Sequence, residues 1–281
     1  MKKKSSMKKR IIIISGIVMI LAVACDMRLK TVTYKVETEK ITTPIRIALI
    51  TDLHSDRYGK NQHVLLESLE RQQPDIILLG GDIFDDKGSY KSAEITLKNL
   101  SEQYPCYYVT GNHEYWSKDI DNILAIVGAY GIPILSGDCE TLEIKGQTVN
   151  ICGVDDPDVV AYTKNGVGML EQLKSAEEAV KATDNSEGYT ILLSHRPEWA
   201  ETYMQYDFDL VLCGHAHGGQ WRIPGLLNGL YAPNQGIFPK YAGGRYDFES
   251  GTLIVSRGLA RESTPVPRVF NRPELVIIDL E

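Results

Sequence analysis

At 281 residues, with 43% hydrophobic and 24% charged side chains, the chain is long enough to bury a sizeable core in one large domain. Six of its 30 Lys and Arg lie in Met1–Arg10, which leaves 24 basic residues against 37 acidic ones, a balance of −13 beneath the formal −7. A body that acidic repels polyanions, which excludes duplex nucleic acid as a partner. No repeat or low-complexity tract points to a solenoid, coiled coil or disordered tail.

In chain order, the first feature is a basic cluster, Lys2, Lys3, Lys4, Lys8, Lys9 and Arg10, ahead of an apolar run from Ile11 to Ala24 interrupted only by Ser15 and Gly16. This is the pattern of an export leader. As a helix the run reaches about 21 Å at ~1.5 Å per residue, short of a hydrocarbon core of roughly 30 Å. Ala22-Val23-Ala24-Cys25-Asp26 resembles a lipobox, in which the Cys becomes the lipid-modified first residue; an uncleaved N-terminal anchor is the alternative. Both readings divide the chain into a leader or anchor at 1–25, a linker and leading strand at 26–44, and a domain at 45–281. Both also put that domain on the extracytoplasmic face of the cell membrane, with the basic cluster inside.

Ile45–Thr51 reads as a buried strand, followed by a helix over Asn61–Gln73, a strand at Ile76–Gly80, a helix at Ser92–Gln103 and a strand at Cys106–Thr110. Asp119–Tyr130 is predicted helical, stopped by Gly131 and Pro133. Thr141–Gly153 reads as a hairpin around Lys145-Gly146-Gln147, and Met169–Thr183 as a solvated helix. Strands follow at Thr190–Ser194, Asp209–Cys213, Thr252–Ser256 and Leu275–Asp279. The alternation of strand and helix in the first half implies parallel pairing, with more hairpins expected in the second. The spacings of Cys106, Cys139, Cys152 and Cys213 show no dense disulfide framework, and Cys106, Cys152 and Cys213, in strand-like stretches, are expected as buried free thiols.

Four short apolar strands end in metal-type ligands: Asp52-Leu53-His54, Gly81-Asp82-Ile83-Phe84-Asp85, Gly111-Asn112-His113-Glu114 and Gly214-His215-Ala216-His217. A fifth delivers His195. Five of the six histidines therefore stand at strand ends; His63, on a helix, reads as a surface residue. In open α/β sheets the strand C-termini line one crevice, so these groups can converge. Mixed carboxylate, imidazole and amide donors suit borderline divalent ions such as Mn²⁺, Fe²⁺ or Zn²⁺ rather than the all-oxygen shell of Ca²⁺. Two such ions roughly 3.5–4 Å apart need a shared carboxylate and can drive attack of metal-bound hydroxide on phosphorus. Gly81, Gly111 and Gly214 allow close backbone approach beside the ligands.

The ordered series Asp52-x-His54, Gly81-Asp82-x-x-Asp85, Gly111-Asn112-His113-Glu114, His195 and Gly214-His215-x-His217 resembles the calcineurin-like metallophosphoesterases from Ile45 onward. Gly218-Gly219-Gln220, Gly236–Tyr241, Ser256–Leu259 and Phe270–Glu274 resemble the bacterial membrane-associated branch, which includes phosphodiesterases and UDP-diacylglucosamine pyrophosphatases. The resemblance implies a four-layer α-β-β-α sandwich with two mixed sheets. It implies a first metal held by Asp52, His54 and His217, a second held by Asn112, His195 and His215, and Asp82 bridging them. Mn²⁺ is the expected ion, with Fe or Zn²⁺ as alternatives. His113 would contact the phosphate and protonate the leaving oxygen, with Asp85 orienting its ring. Where the family often has a Gly after the first motif, this chain has Ser55-Asp56-Arg57-Tyr58-Gly59.

Arg257 and Gln220 are further substrate candidates, against a surface ion pair and a plain turn respectively. Asp155 and Asp156 read as turn residues ahead of Pro157. Trp116, Trp221, Phe238 and Tyr241 are candidates for an apolar rim, with core packing the alternative, favoured for Trp221. The expected substrate is a phosphomonoester, phosphodiester or pyrophosphate in a phosphorylated lipid, nucleotide-sugar lipid or wall polymer, and the expected state a monomer anchored through its N-terminus. A cell-wall zinc amidase or deacetylase is the rival enzyme class, but His-Glu-x-x-His is absent; a catalytically inert metal-binding envelope protein is the non-enzymatic rival.

Overall fold

The structure, a computed structural model, describes residues 2–182, 187–261 and 266–281. Met1 of the expected leader and Thr183 of the expected helix lie outside the described residues. The chain opens with helix α1 (Lys2–Ala24), then strand β1 (Lys30–Val36), β2 (Ile45–Ile50), α2 (His63–Glu70), β3 (Ile76–Gly80), α3 (Lys91–Ser101), β4 (Cys106–Val109), α4 (Asn112–Trp116) and α5 (Ile120–Ala129). The second half contains β5 (Asp138–Ile144), β6 (Gln147–Gly153), α6 (Val159–Tyr162), α7 (Met169–Lys181), β7 (Tyr189–Leu193), α8 (Ala200–Tyr203) and β8 (Leu210–Cys213). A short ribbon of β9 (Tyr231–Ala232) and β10 (Gly236–Ile237) precedes β11 (Gly244–Asp247), β12 (Thr252–Val255) and β13 (Glu274–Leu280).

The strands form two mixed sheets. One has five strands in the order β1-β13-β2-β3-β4, the other six in the order β11-β12-β8-β7-β6-β5. In the first, β13 runs antiparallel to β2 and the rest pair parallel. In the second, β6, β7, β8 and β12 are parallel and only the edge strands β5 and β11 are antiparallel. As expected, the consecutive-strand hairpins β5–β6, β9–β10 and β11–β12 all lie in the second half, although the centre of its sheet is parallel. β6, β7, β8 and β12 are joined through helices and long loops, which carry the chain back to the same end.

Alternation along each strand distributes the core into three zones. Ile47 and Leu49 of β2 face Val149, Ile151, Ile191 and Leu212 across the gap between the sheets. Ala48 and Ile50 point the other way, onto Leu65 and Leu69 of α2 and Leu97 and Leu100 of α3. On the far side Leu192, Val211 and Leu253 meet Leu173, Ala176 and Val180 of α7. Strands buried on both faces read as unbroken apolar runs, which is why they stood out in the sequence. The result is the expected four-layer α-β-β-α sandwich.

The thiols depart from expectation at one point. Pairing of β5 with β6 sets Cys139 opposite Cys152, and the two form a disulfide; Cys106 and Cys213 are buried and free. Strand-like surroundings made Cys152 read as a free thiol, whereas cross-strand register decides its partner. At the N-terminus, Ile11–Leu21 of α1 project exposed apolar side chains, and the helix end docks through Phe270 N–H to Ala24 O at 2.7 Å. Among the described residues no helix is long and apolar enough to cross a membrane.

Candidate metal centre

The C-terminal ends of β2, β3, β4, β7 and β8 meet at one crevice. Backbone hydrogen bonds zip the first two loops together: Asp52 N–H to Gly81 O (3.0 Å), His54 N–H to Asp82 O (2.9 Å) and Ser55 N–H to Ile83 O (3.0 Å). Asp52, His54, Asp82, His215 and His217 all have φ between 46° and 64°. Each such left-handed non-glycine residue costs on the order of 1 kcal/mol, and their concentration at one crevice marks a functional arrangement held by its surroundings. Two glycines make the crowding possible. A Cβ on Gly111 would lie 2.3 Å from Asp82 Oδ1, and one on Gly214 2.5 Å from Asp52 Oδ2.

Two buried triads result. Asp52, His54 and His217 present ligand-type atoms within 4.8 Å of one another, as do Asp82, His195 and His215. His54 Nε2 lies 3.6 Å from Asp82 Oδ2, and His195 Nε2 only 3.1 Å from that same oxygen, so Asp82 stands between the triads. Asn112 is buried beside them at the start of α4. Among the described residues, Asp82 Oδ2, His54 Nε2, His195 Nε2 and Asn112 Oδ1 are buried without a hydrogen bond, the first three only facing one another. Orphaned polar atoms of this kind are costly unless something else coordinates them. Divalent cations would satisfy all four.

The other ring nitrogens are committed. His195 Nδ1 is 2.8 Å from Gly80 O, where it can only donate, so Nε2 is the nitrogen that faces Asp82 and would ligate a cation once deprotonated. His215 Nε2 donates to Asn234 Oδ1 at 2.9 Å, which leaves the Nδ1 lone pair free to ligate a cation. Burial pushes the His215 and His217 pKa values well down, which keeps both as the neutral imidazoles a cation needs. Burial opposes charge on Asp82, but His195, His113 and His54 override it and hold this carboxyl well below its ordinary range. The carboxylates of Asp82, Asp52 and Asp156 lift His195 to about 10 against desolvation, so positive charge is strongly favoured here.

His113 sits at the mouth of the crevice. Its N–H donates to Asp82 Oδ1 at 2.8 Å, and its ring stands edge-on to His54 at 4.3 Å between centroids. Asp85 Oδ1 is 3.5 Å from His113 Nδ1 and 3.4 Å from His54 Nδ1, so Asp85 is shared by the two rings. Asp86 is closer to His113, at 2.9 Å. The sequence reading did not single out Asp86; a second adjacent Asp was its only signal.

Behind these groups lies a buried polar framework. The Glu114 carboxylate accepts from the backbone N–H of Asp82 (2.9 Å), Ile83 (2.7 Å), Phe84 (3.1 Å) and Gly111 (2.9 Å), and from Tyr108 Oη (2.8 Å). One side chain thus ties the β3 and β4 loops together. Asp156 is a bidentate partner of the buried Arg196, which also donates to Asn234 Oδ1 at 2.8 Å. Asp156, Arg196 and Asn234 therefore brace His215, and Asp155 accepts from Thr110 Oγ1 and Gln172 Nε2. Both aspartates belong to this buried framework, beyond the local turn that Pro157 suggested.

The crevice opens into a cavity of about 1210 Å³ lined by His54, Asp82, Asn112, His113, His215 and His217, with Arg57, Lys87 and Arg261 as cations at its wall. Arg257 and Gln220 do not line it. The Arg257 guanidinium pairs with Glu274 at 3.4 Å, and Gln220 forms the turn after His217 with φ 57°. Trp116 lines the cavity and donates to Asp158 at 2.6 Å. Tyr241 is buried with its hydroxyl on Glu201, so it forms no part of a rim. Trp221, by contrast, is 44% exposed rather than in the core. The Ser55–Gly59 segment supplies Asp56 and Arg57 to the wall, while Tyr58 is buried under the Arg261 guanidinium.

The fold and the paired triads define a metal-dependent phosphoesterase. A family model described as calcineurin-like phosphoesterase matches residues 45–219, and the chain belongs to that family. An uncharacterized metallophosphoesterase of Aquifex aeolicus is 31% identical over 257 residues, covering 88% of this chain and 90% of its own length. One from Helicobacter pylori strain J99 is 31% identical over 65% of this chain, which spans 47% of that relative. Among solved structures, Haemophilus influenzae NAD nucleotidase superposes with a TM-score of 0.53 at 17% identity over 78% of this chain and 46% of its own, a likeness of fold. Neither relative is described by a substrate.

Proposed function

We propose that this chain hydrolyses a phosphate ester or pyrophosphate bond of an envelope lipid or wall polymer on the extracytoplasmic face of the membrane, at a centre of two divalent cations. The observation that carries the reading is Asp82 Oδ2 where the two buried triads meet, without a hydrogen bond among the described residues, as are His54 Nε2, His195 Nε2 and Asn112 Oδ1. Asp52, His54 and His217 would hold one ion and Asn112, His195 and His215 the other, with Asp82 shared. Mn²⁺, with Fe or Zn²⁺ as alternatives, fits donors that mix oxygen and imidazole nitrogen. Bound there, the ions supply an activated water and neutralise charge on the phosphoryl oxygens.

The chain's own residues do the rest. His113, at the mouth and beside Asp85 and Asp86, is placed to carry a proton to the leaving oxygen. Arg57, Lys87 and Arg261 offset the Asp56, Asp82, Asp85 and Asp86 charges that also line the cavity, and the bound cations would turn its net charge positive toward an anion. The basic leader and exposed apolar helix support the envelope location, and the resemblance of the C-terminal motifs to the UDP-diacylglucosamine pyrophosphatase branch supports a lipid pyrophosphate. The test is hydrolysis of bis-p-nitrophenyl phosphate by the full chain with Mn²⁺, followed by chelation. Turnover that vanishes on chelation and returns with Mn²⁺ is expected. A chain that binds two ions yet leaves every phosphoester intact overturns the reading.

A further inference from the structure

The segment after the last histidine turn is unusual in what it exposes. Leu226 is 82% exposed, Ile237 69% and Phe238 66%, and Trp221, Ile223 and Tyr231 are also open to solvent. Side chains of this size grouped on one loop and ribbon mark an interaction surface rather than ordinary surface scatter. Hydrogen bonds fix where the group lies. Trp221 Nε1 donates to Pro267 O at 3.0 Å, Arg222 N–H to Val269 O at 3.0 Å, and Phe270 N–H to Ala24 O at the end of α1. Pro233, Pro267 and Met27 line the metal cavity. The apolar segment, the exit of α1 and the mouth of the crevice therefore share one face.

We infer that this face rests on a lipid bilayer, with Leu226, Ile237 and Phe238 inserted among the acyl chains beside α1. Two observations choose a bilayer over another occupant. The exposed Ile11–Leu21 surface of α1 ends on this same face, so two apolar elements leave the domain together. Long cationic side chains also reach outward here: Arg28 and Lys87 are over four-fifths exposed, and Arg261 and Arg272 about one-third exposed, each beside an aspartate (Asp26, Asp86 or Asp56) that is less exposed than its partner. Outward-reaching Arg and Lys on the same face as apolar tips can meet headgroup phosphates. One consequence is that the crevice meets headgroup phosphates directly, so the substrate is an amphiphile bearing its phosphate at the membrane surface. That consequence rests on the proposed phosphoesterase reading; the docking surface does not.

The experiment places an environment-sensitive NBD fluorophore on the full chain at Leu226→Cys, Phe238→Cys or Ser250→Cys, each with Cys25→Ser. Cys106 and Cys213 are buried and Cys139 is bonded to Cys152, so labelling is confined to the new thiol. Ser250 precedes β12, at the end of its sheet away from the crevice. With vesicles of phosphatidylcholine and phosphatidylglycerol, a blue shift and several-fold gain in emission are expected at 226 and 238, with no change at 250. L226D/I237D/F238D should weaken vesicle binding by roughly tenfold or more while hydrolysing soluble bis-p-nitrophenyl phosphate like the parent. Unchanged emission at 226 and 238 on vesicle-bound protein overturns the inference, because α1 alone then makes the contact. An equal response at 250, or a shift that tracks protein concentration without vesicles, overturns it in favour of random adsorption or a second copy. Absence of hydrolysis in the parent refutes the catalytic reading and leaves the surface standing.

Discussion

Glu114→Gln tests the framework that shapes the centre. The carboxylate is completely buried, and its two oxygens accept from the N–H groups of Asp82, Ile83, Phe84 and Gly111 and from the Tyr108 hydroxyl. Burial and the nearby Asp82 charge push its pKa up, while the Phe84 N–H and Tyr108 pull it down; the donors are what make the site tolerable. Gln replaces one oxygen by an NH₂ group that can only donate. If Oε2 is replaced, Asp82 and Gly111 lose their acceptor; if Oε1, Ile83, Phe84 and Tyr108 do. At least two donors are stranded in either orientation, at about 1–3 kcal/mol each, for a gross loss of about 2–6 kcal/mol. Burying a neutral amide instead of a charge returns part of that. At ~2–4 °C per kcal/mol for a domain of this size, the melting temperature should fall by several degrees, read by calorimetry. Because the freed N–H groups belong to the Asp82 and Gly111 loops, bound metal, measured by inductively coupled plasma mass spectrometry, should fall as well. A variant with unchanged melting temperature and full metal content would refute the clamp.

The remaining predictions separate metal holding from proton transfer and bracing. Asp82→Asn should lose both metal content and turnover, whereas His113→Asn should keep its metal and lose about 10²–10⁴-fold in kcat; equal metal loss in the two would overturn the role of His113. Burial would lower the His113 pKa, but the carboxylates of Asp85, Asp82 and Asp86 raise it to about 9. The imidazolium therefore persists at neutral pH and is lost as pH rises through that value, and bound cations shift the limb downward. An alkaline fall in kcat at or below about pH 9 is expected in the parent and should be missing in His113→Asn. Asn234→Ala removes the acceptor of His215 Nε2 and should weaken metal binding about 10–100-fold in competition with a chelating dye, with the fold intact by circular dichroism. Reduction of Cys139–Cys152, which closes a short loop with a sequence separation of 13, should cost at most about 3 kcal/mol and leave the metal content unchanged.

Much of this was legible in the residues because the central strands are buried on both faces. Ile45–Ile50, Ile76–Gly80 and Leu210–Cys213 appear as short apolar runs followed at once by polar ligands, and their ends matched to within a residue or two. The crevice at the strand ends followed from parallel connectivity and gathered the ligand-type residues, while the choice of Asp52, His54, Asp82, Asn112, His195, His215 and His217 among them came from the resemblance to the family. What was not legible depends on contacts between distant segments. The Cys139–Cys152 bond needs the register of β5 on β6. Asn234, in a loop without a motif, gains its importance only because it meets His215 and Arg196. Arg257 carried the composition of a phosphate ligand, but Glu274 holds it away from the cavity. Helix α2 begins at His63 rather than Asn61 because Asn61 and Gln62 take left-handed backbone angles, which periodicity does not reveal.

The central claim is that one carboxylate oxygen joins two cation sites. Crystals of the full chain grown with Mn²⁺ and measured at the manganese absorption edge test it most directly. Two anomalous peaks about 3.5–4 Å apart, one on each side of Asp82 Oδ2 and within bonding distance of the two triads, are predicted. A single peak, or peaks away from Asp52, His54, His195 and His215, would contradict the account.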